Sequence, residues 1–428
     1  MEVEILYGKQ NKTVDFPEPN TVILDPKQVD VISNEEEAIR KSLKYPINSP
    51  ALRDLIGIDD TVAIVFSDIT RPVRNDLILP VLLEELNSLP DDRIVLINAL
   101  GTHRKNTPEE LTEILGSEIT ERYRVHQHDF QDQSNLLSLG MNSYDHEVWV
   151  NKVYLESTVR ILTGLIEPHL FAGISGGPKS VLPGIAGEST IYANHNTNMI
   201  GDPRVGFAQT EGNPIWEEML EVAMMTEPTF IVNVTQTEDH QLTGVFSGDM
   251  KKAHLAGAEF VKNTGMVPVD RPFDIVVSTA GGFPLDISMY QSVKGIAVAG
   301  KIVKKGGDII LVSKCIEGLP AYGEYGDIMR LAHSPEKLLT MLHEPGFFMQ
   351  DQWDAQIQAQ LCIHTTLHIY SEGLNDQEIQ QVFGIPCHSI EDTLEELLIK
   401  HGPDARIGVL PVGPLTIPYL YDDGPGTD

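Results

Sequence analysis

The sequence predicts an α/β protein of two or three domains with mainly parallel sheets, and three observations carry the fold class. Short apolar runs rich in Val and Ile recur along the 428 residues, and runs of that length and composition read as buried strands. Amphipathic stretches of helical period lie between several of them, and strands that alternate with helices pair in parallel. The length exceeds the roughly 100–200 residues that one domain usually holds.

The strand candidates, in order, are Thr61–Phe66, Arg93–Asn98, Arg160–Thr163, Thr229–Val234, Phe273–Ser278, Asp308–Ser313, Thr366–Tyr370 and Arg406–Leu410. Asp76–Ser88 and Thr107–Leu115 read as helices, opened by Asn75 and Thr107 and carrying acids in their first turns. No repeat of 20–50 residues and no low-complexity tract interrupts the pattern. Asn263–Pro272 holds two prolines and a glycine between a helical run and a fresh strand, which suits a linker. The expected domains are therefore 1–265 and 270–400, with the tail at about 403–428 returning to the first. Gly424–Asp428 is expected to fray.

Composition narrows the function. With 31 Lys and Arg against 62 Asp and Glu, the net charge is −31. That balance argues against nucleic acid or an anionic membrane as partner, since phosphates need a basic surface. No apolar run approaches the 18 residues of a membrane span. Met1-Glu2-Val3-Glu4 lacks the basic start of a signal peptide. Cys315, Cys362 and Cys387 form no C-x-x-C pair, which fits a reducing compartment. A cytoplasmic location is expected.

Ligands of open α/β sheets bind beyond the carboxyl ends of the strands. The residues directly after the strand candidates are Ser67-Asp68-Ile69-Thr70-Arg71-Pro72, Gly101-Thr102-His103-Arg104, Gly164-Leu165-Ile166-Glu167-Pro168-His169 and Ala280-Gly281-Gly282. Ionisable residues and glycines concentrate there, although such turns also cap helices without any further role. The segment Gly176-Gly177-Pro178-Lys179-Ser180 looks like a phosphate loop but places Pro178 where that motif needs Gly. Proline also removes a backbone donor. A loop of open amides beside a lysine and a close-packed turn with a solvated lysine both remain. No G-x-G-x-x-G follows a predicted strand, so a Rossmann dinucleotide site lacks support.

Histidine offers more. His126 and His128 alternate in a strand-like run, and His364 and His368 stand at i, i+4 should that stretch be helical; neither pair has a third ligand. His103, His169 and His195 fall among the loops above. Two imidazoles can alternate as base and acid near neutrality, and a third can ligate a metal. Gln291 and Lys294, at i, i+3, share one helix face and can grip a carboxylate. Trp353 reads most simply as a packing anchor.

Six segments in register resemble the nickel-dependent lactate racemase family. They are Ser67–Pro72, Gly101–Arg104, Glu167–His169 running on through Gly176–Ile185, Ala193-Asn194-His195, Tyr290–Gly295 and Asp351-Gln352-Trp353. The resemblance covers nearly the whole chain. It implies an enzyme of two α/β domains with mainly parallel sheets and an active-site cleft between them, a racemase or epimerase of 2-hydroxy acids, lactate first, that works with a nickel-pincer nucleotide installed by maturation enzymes. It implies Lys179 as the covalent tether, His195 as nickel ligand, and His103 and His169 as the acid/base pair. Asp68, Thr70 and Arg71 would lie by the nucleotide, Gln291 and Lys294 would bind the substrate carboxylate with Arg71 near it, and Trp353 would wall the pocket. Pro178 departs from the basic residue expected there. Arg74 either meets a second acidic group on a larger substrate or faces solvent. The rival readings are a nicotinamide-dependent 2-hydroxyacid dehydrogenase and a non-catalytic receptor for small anions.

Overall fold

The computed structural model describes residues 1–420. The chain divides into two units, one of residues 29–263 and one of residues 1–28 with the chain from 264 onward.

The first unit holds a six-stranded sheet. Its order is Leu242–Gly248, Phe230–Gln236, Val159–Leu165, Val62–Ser67, Ile94–Ala99 and Arg124–Gln127. All neighbours are parallel except the edge hairpin of Phe230–Gln236 with Leu242–Gly248. Residues 62–66 and 94–98 are buried without alternation, as strands covered on both faces must be. On one face Ile39, Leu43, Ile78, Leu79 and Leu82 pack over Val62, Ile64, Phe66 and Leu96. The helix expected at Asp76–Ser88 runs Asn75–Glu85, and Asn75 lies inside it rather than capping it. Thr107 does cap Pro108–Leu115, in a reciprocal box with Glu110.

The second unit carries a six-stranded, all-parallel sheet. Its order is Gly384–Pro386, Thr366–Tyr370, Val303–Val312, Phe273–Thr279, Ile407–Leu410 and Thr21–Ile23. Ile275, Val277, Ile310, Val312 and Val409 meet Ile390, Leu394 and Leu397 of the helix Ile390–His401. The antiparallel hairpin Glu2–Ile5 with Lys12–Asp15 adds Ile5 and Val14 to that core.

Three expectations about domain limits change. Residues 1–28 belong to the second unit, because Thr21–Ile23 pairs with Ile407–Leu410. The tail stays in that unit for the same reason, and Gly424–Asp428 lies outside the described residues. The linker is not an irregular stretch: the helix Met250–Gly265 runs into it, and Met266–Val269 pairs in parallel with Ile417–Leu420. His364 and His368 share no helix face, since Thr366–Tyr370 is a strand.

His368 instead meets Asp308, a fully buried carboxylate of the neighbouring strand. His368 Nε2, Lys400 Nζ and His401 Nε2 approach its oxygens at 2.9, 2.8 and 2.6 Å. These contacts tie the end of the helix Ile390–His401 to the sheet. Burial pushes this carboxyl up, but the hydrogen bonds win and hold it at about 2, against an ordinary 3.8. Because the folded value is the lower one, its stabilisation is complete above about pH 4 and is lost as pH falls towards 2. Asp308→Ala should cost about 3 kcal/mol at pH 7, by leaving Lys400 and the two histidine N–H donors without their acceptor. Urea unfolding measures this, and an unchanged midpoint contradicts it.

Candidate active site

In the first unit the loops after adjacent parallel strands converge on Asp68. Val62–Ser67 ends one residue before it, and burial alone would push its carboxyl up. His103 Nδ1 at 2.7 Å and Thr70 Oγ1 at 2.8 Å donate to its two oxygens. With the nearby Arg71 charge, these contacts hold the carboxyl below its usual range. His103 sits in the turn after Ile94–Ala99, where its N–H donates to Leu100 O. Gly101, at φ +53°, lets its amide reach Gly184 O at 3.0 Å and so joins this turn to the lysine-bearing segment.

Val159–Leu165 leads to Glu167 and then to a tight hairpin, Pro168–His169 against Gly173–Ile174. Arg71 Nε lies 3.6 Å from Glu167 Oε1, with side chains 13% and 9% exposed. His169 is buried, and its Nδ1 accepts from Ala172 N–H at 3.3 Å. The Phe171 ring meets His169 edge-on at 4.6 Å and His195 edge-on at 5.0 Å. That ring is a spacer between two imidazoles.

The segment Gly177–Ser180 forms one 3-10 turn. Gly177 donates to Asn233 Oδ1, Lys179 N–H to Gly176 O, and Val181 N–H to Pro178 O. A Cβ on Gly177 would come within 2.5 Å of the His254 ring. The amides are therefore engaged within the protein, and the loop of open amides is corrected to a packed turn that presents half-buried Lys179. His195 caps the helix Glu188–Asn194 and is buried. Burial first, and the Lys179 charge second, push its imidazole down to about 3. His195 is neutral at physiological pH, the form that binds metal.

In the second unit Gln291 and Lys294 do share a face of the helix Met289–Gly300, and Lys294 Nζ donates to Gln291 Oε1. Trp353, on the helix Gln352–Cys362, donates through Nε1 to the Tyr290 hydroxyl at 3.0 Å. Burial drives the Tyr290 phenol well above its usual range, and the Asp354 and Asp351 charges add to this.

Other candidates resolve into structure. Arg74 pairs with Asp76 at 3.0 Å and Glu35 at 3.7 Å, so its guanidinium is matched by this chain's own carboxylates. His126 and His128 accept from Asn151 Nδ2, and His128 Nε2 donates to Ala186 O. Among the described residues no three His, Cys, Asp or Glu side chains gather into a metal site. Glu167, Phe171 and Tyr290 were missed as individual residues in the sequence. Their only signal there was adjacency to His169 and Gln291.

Comparison with known proteins matches both units to one family. The models for the lactate racemase N-terminal and C-terminal domains match residues 7–208 and 269–417. The lactate racemase of Lactiplantibacillus plantarum is 34% identical over 417 residues, 96% of this chain and 98% of the relative. That of Thermoanaerobacterium thermosaccharolyticum is 32% identical over 419 residues, 96% and 97% of the two chains. The structure of the latter apoprotein aligns with a TM-score of 0.91 over 98% of this chain and all of its own. A Thermotoga maritima protein, 19% identical, shares the fold with a TM-score of 0.71. Matched end to end by these relatives, the chain belongs to the lactate racemase family and is an isomerase.

Proposed function

We propose that the protein inverts C2 of a 2-hydroxy acid, with lactate as substrate, by taking the C2 hydrogen as hydride while a base takes the hydroxyl proton. The observation that carries this reading is the opposite preparation of His103 and His169. Asp68 accepts from Nδ1 of His103, so that proton sits on Nδ1 and Nε2 offers a lone pair. Ala172 N–H faces Nδ1 of His169, so its proton sits on Nε2. One imidazole thus presents Nε2 as an acceptor and the other presents it as a hydrogen-bond donor.

Inversion through a planar 2-oxo acid needs a proton handler on each face. His103 Nε2 takes the hydroxyl proton from one face, and ionised Asp68 stabilises the imidazolium that results. His169 serves the opposite face: once its Nδ1 takes a proton from solvent in place of the Ala172 contact, the imidazolium returns a proton from Nε2 to the substrate oxygen as hydride comes back. Exchange with solvent resets both rings, and the acid leaves with its oxidation state unchanged. In this reading Gln291 and Lys294 bind the substrate carboxylate and Trp353 walls the pocket.

The group that fits is a nickel-pincer nucleotide tethered at Lys179 and installed by maturation enzymes, with His195 as the protein's nickel ligand. When bound, it supplies a reversible acceptor for the C2 hydride. The donor chemistry supports this: His195 offers a neutral imidazole beside Lys179, and the other nickel donors would come from the organic group. Asp68, Thr70 and Arg71 lie by the nucleotide in this reading. Family membership leaves the dehydrogenase and receptor readings without support.

Lys179→Ala protein matured with its partner enzymes should lack a covalent adduct of nucleotide size by intact mass, and Lys179→Arg should not restore it. An undiminished adduct on the Ala variant rejects the tether. Asp68→Asn should keep its nickel but lose at least about 10²-fold in kcat, because His103 loses the charge that stabilises its protonated form. Parental turnover at full nickel occupancy rules out that role. Lys294→Ala should lose about 2–5 kcal/mol in kcat/KM by leaving the substrate carboxylate unpaired; an unchanged kcat/KM excludes the contact.

A further inference from the structure

The helix Pro214–Met225 buries Glu218 completely. A carboxylate taken out of water is costly unless several donors meet it, and three do. Asn142 Nδ2 and His146 Nδ1 each reach Oε1 at 2.7 Å, and Asn194 Nδ2 reaches Oε2 at 2.9 Å. Asn142 and His146 belong to the turn between the paired strands Leu136–Met141 and Glu147–Asn151. Asn194 is the last residue of the helix Glu188–Asn194, directly before His195.

Asn194 also donates from Nδ2 to Ile215 O at 3.2 Å. Its amide is thus held by two acceptors on the helix Pro214–Met225, which fixes its orientation. His195 is held in turn by its own N–H to Ile191 O at 2.9 Å and by the Phe171 edge. If packing alone were at stake, an aliphatic side chain at 218 would serve at lower desolvation cost. A buried carboxylate specifies where its donors sit, and one of those donors adjoins His195.

We infer that Glu218 is a positioning residue for the nickel site, acting through Asn194 to fix the helix end that presents the His195 imidazole; this rests on the proposed ligand role of His195. Outer-shell partners of this kind typically change metal affinity by about 10–100-fold.

The test is nickel release from the matured holoenzyme into excess EDTA, at a temperature where circular dichroism shows every variant folded. Glu218→Gln and Asn194→Ala should each release nickel at least about tenfold faster than the parent. The double variant should be no faster than either single one, because both break the same link. Parental release rates, or effects that multiply in the double variant, overturn the inference. Should Glu218→Gln fail to fold, Asn194→Ala carries the test alone, since Glu218 keeps two donors there. His195→Ala is measured alongside. Full nickel retention by that variant overturns the ligand role itself, whereas its loss combined with parental release from the other variants overturns only the positioning role.

Discussion

In the proposed mechanism the first unit's chemistry depends on the hydrogen bond between Asp68 and His103. It gives a desolvated carboxylate at the carboxyl end of the sheet a donor, and in doing so orients the imidazole. The loop after Val62–Ser67 and the turn after Ile94–Ala99 are locked together by this one contact. Gly101 then joins that turn to Gly184, and so to the segment that presents Lys179. A change at Asp68 would therefore be felt as misplaced chemistry before it is felt as lost packing. The parallel strands make this possible: their register places Ser67 beside Ala99, so that consecutive loops emerge side by side.

Desolvation assigns opposite roles to groups that are otherwise alike. Burial and the Lys179 charge push the His195 imidazole far below neutrality, which suits the ligand role proposed for it. His103 gains a carboxylate on Nδ1, and His169 gains a backbone N–H there. Three imidazoles in one unit thus receive three preparations from their neighbours, in the manner by which enzymes separate acid from base. The Phe171 ring stands between two of them as an apolar spacer.

Much of the framework was legible because its physics is local. Residues 62–66 and 94–98 read as strands from continuous burial, and Thr107 with Glu110 announced a helix start. Thr21–Ile23 was not legible. A three-residue edge strand carries no periodic signal, and its partner Ile407–Leu410 lies nearly 400 residues away in sequence, so the domain limits went wrong with it. The site shows the same division. His103, His169, Lys179 and His195 stood out as ionisable residues in loops, whereas Glu167 beside Arg71 and Tyr290 beside Trp353 emerge only from tertiary contacts. The turn at Gly176-Gly177 was ambiguous for a related reason: whether its amides are open depends on Asn233, a residue of another strand.

The central claim is that C2 is inverted by removal and return of hydride, with the proton traffic confined to the hydroxyl. The most direct measurement uses the matured enzyme and C2-deuterated L-lactate in ordinary water, with the deuterium content of the D-lactate product read by mass spectrometry in the first turnovers. Hydride chemistry retains the label, because a hydride held in the site does not exchange with solvent. D-lactate that has lost its deuterium to water would mean proton abstraction at C2, and would contradict the account.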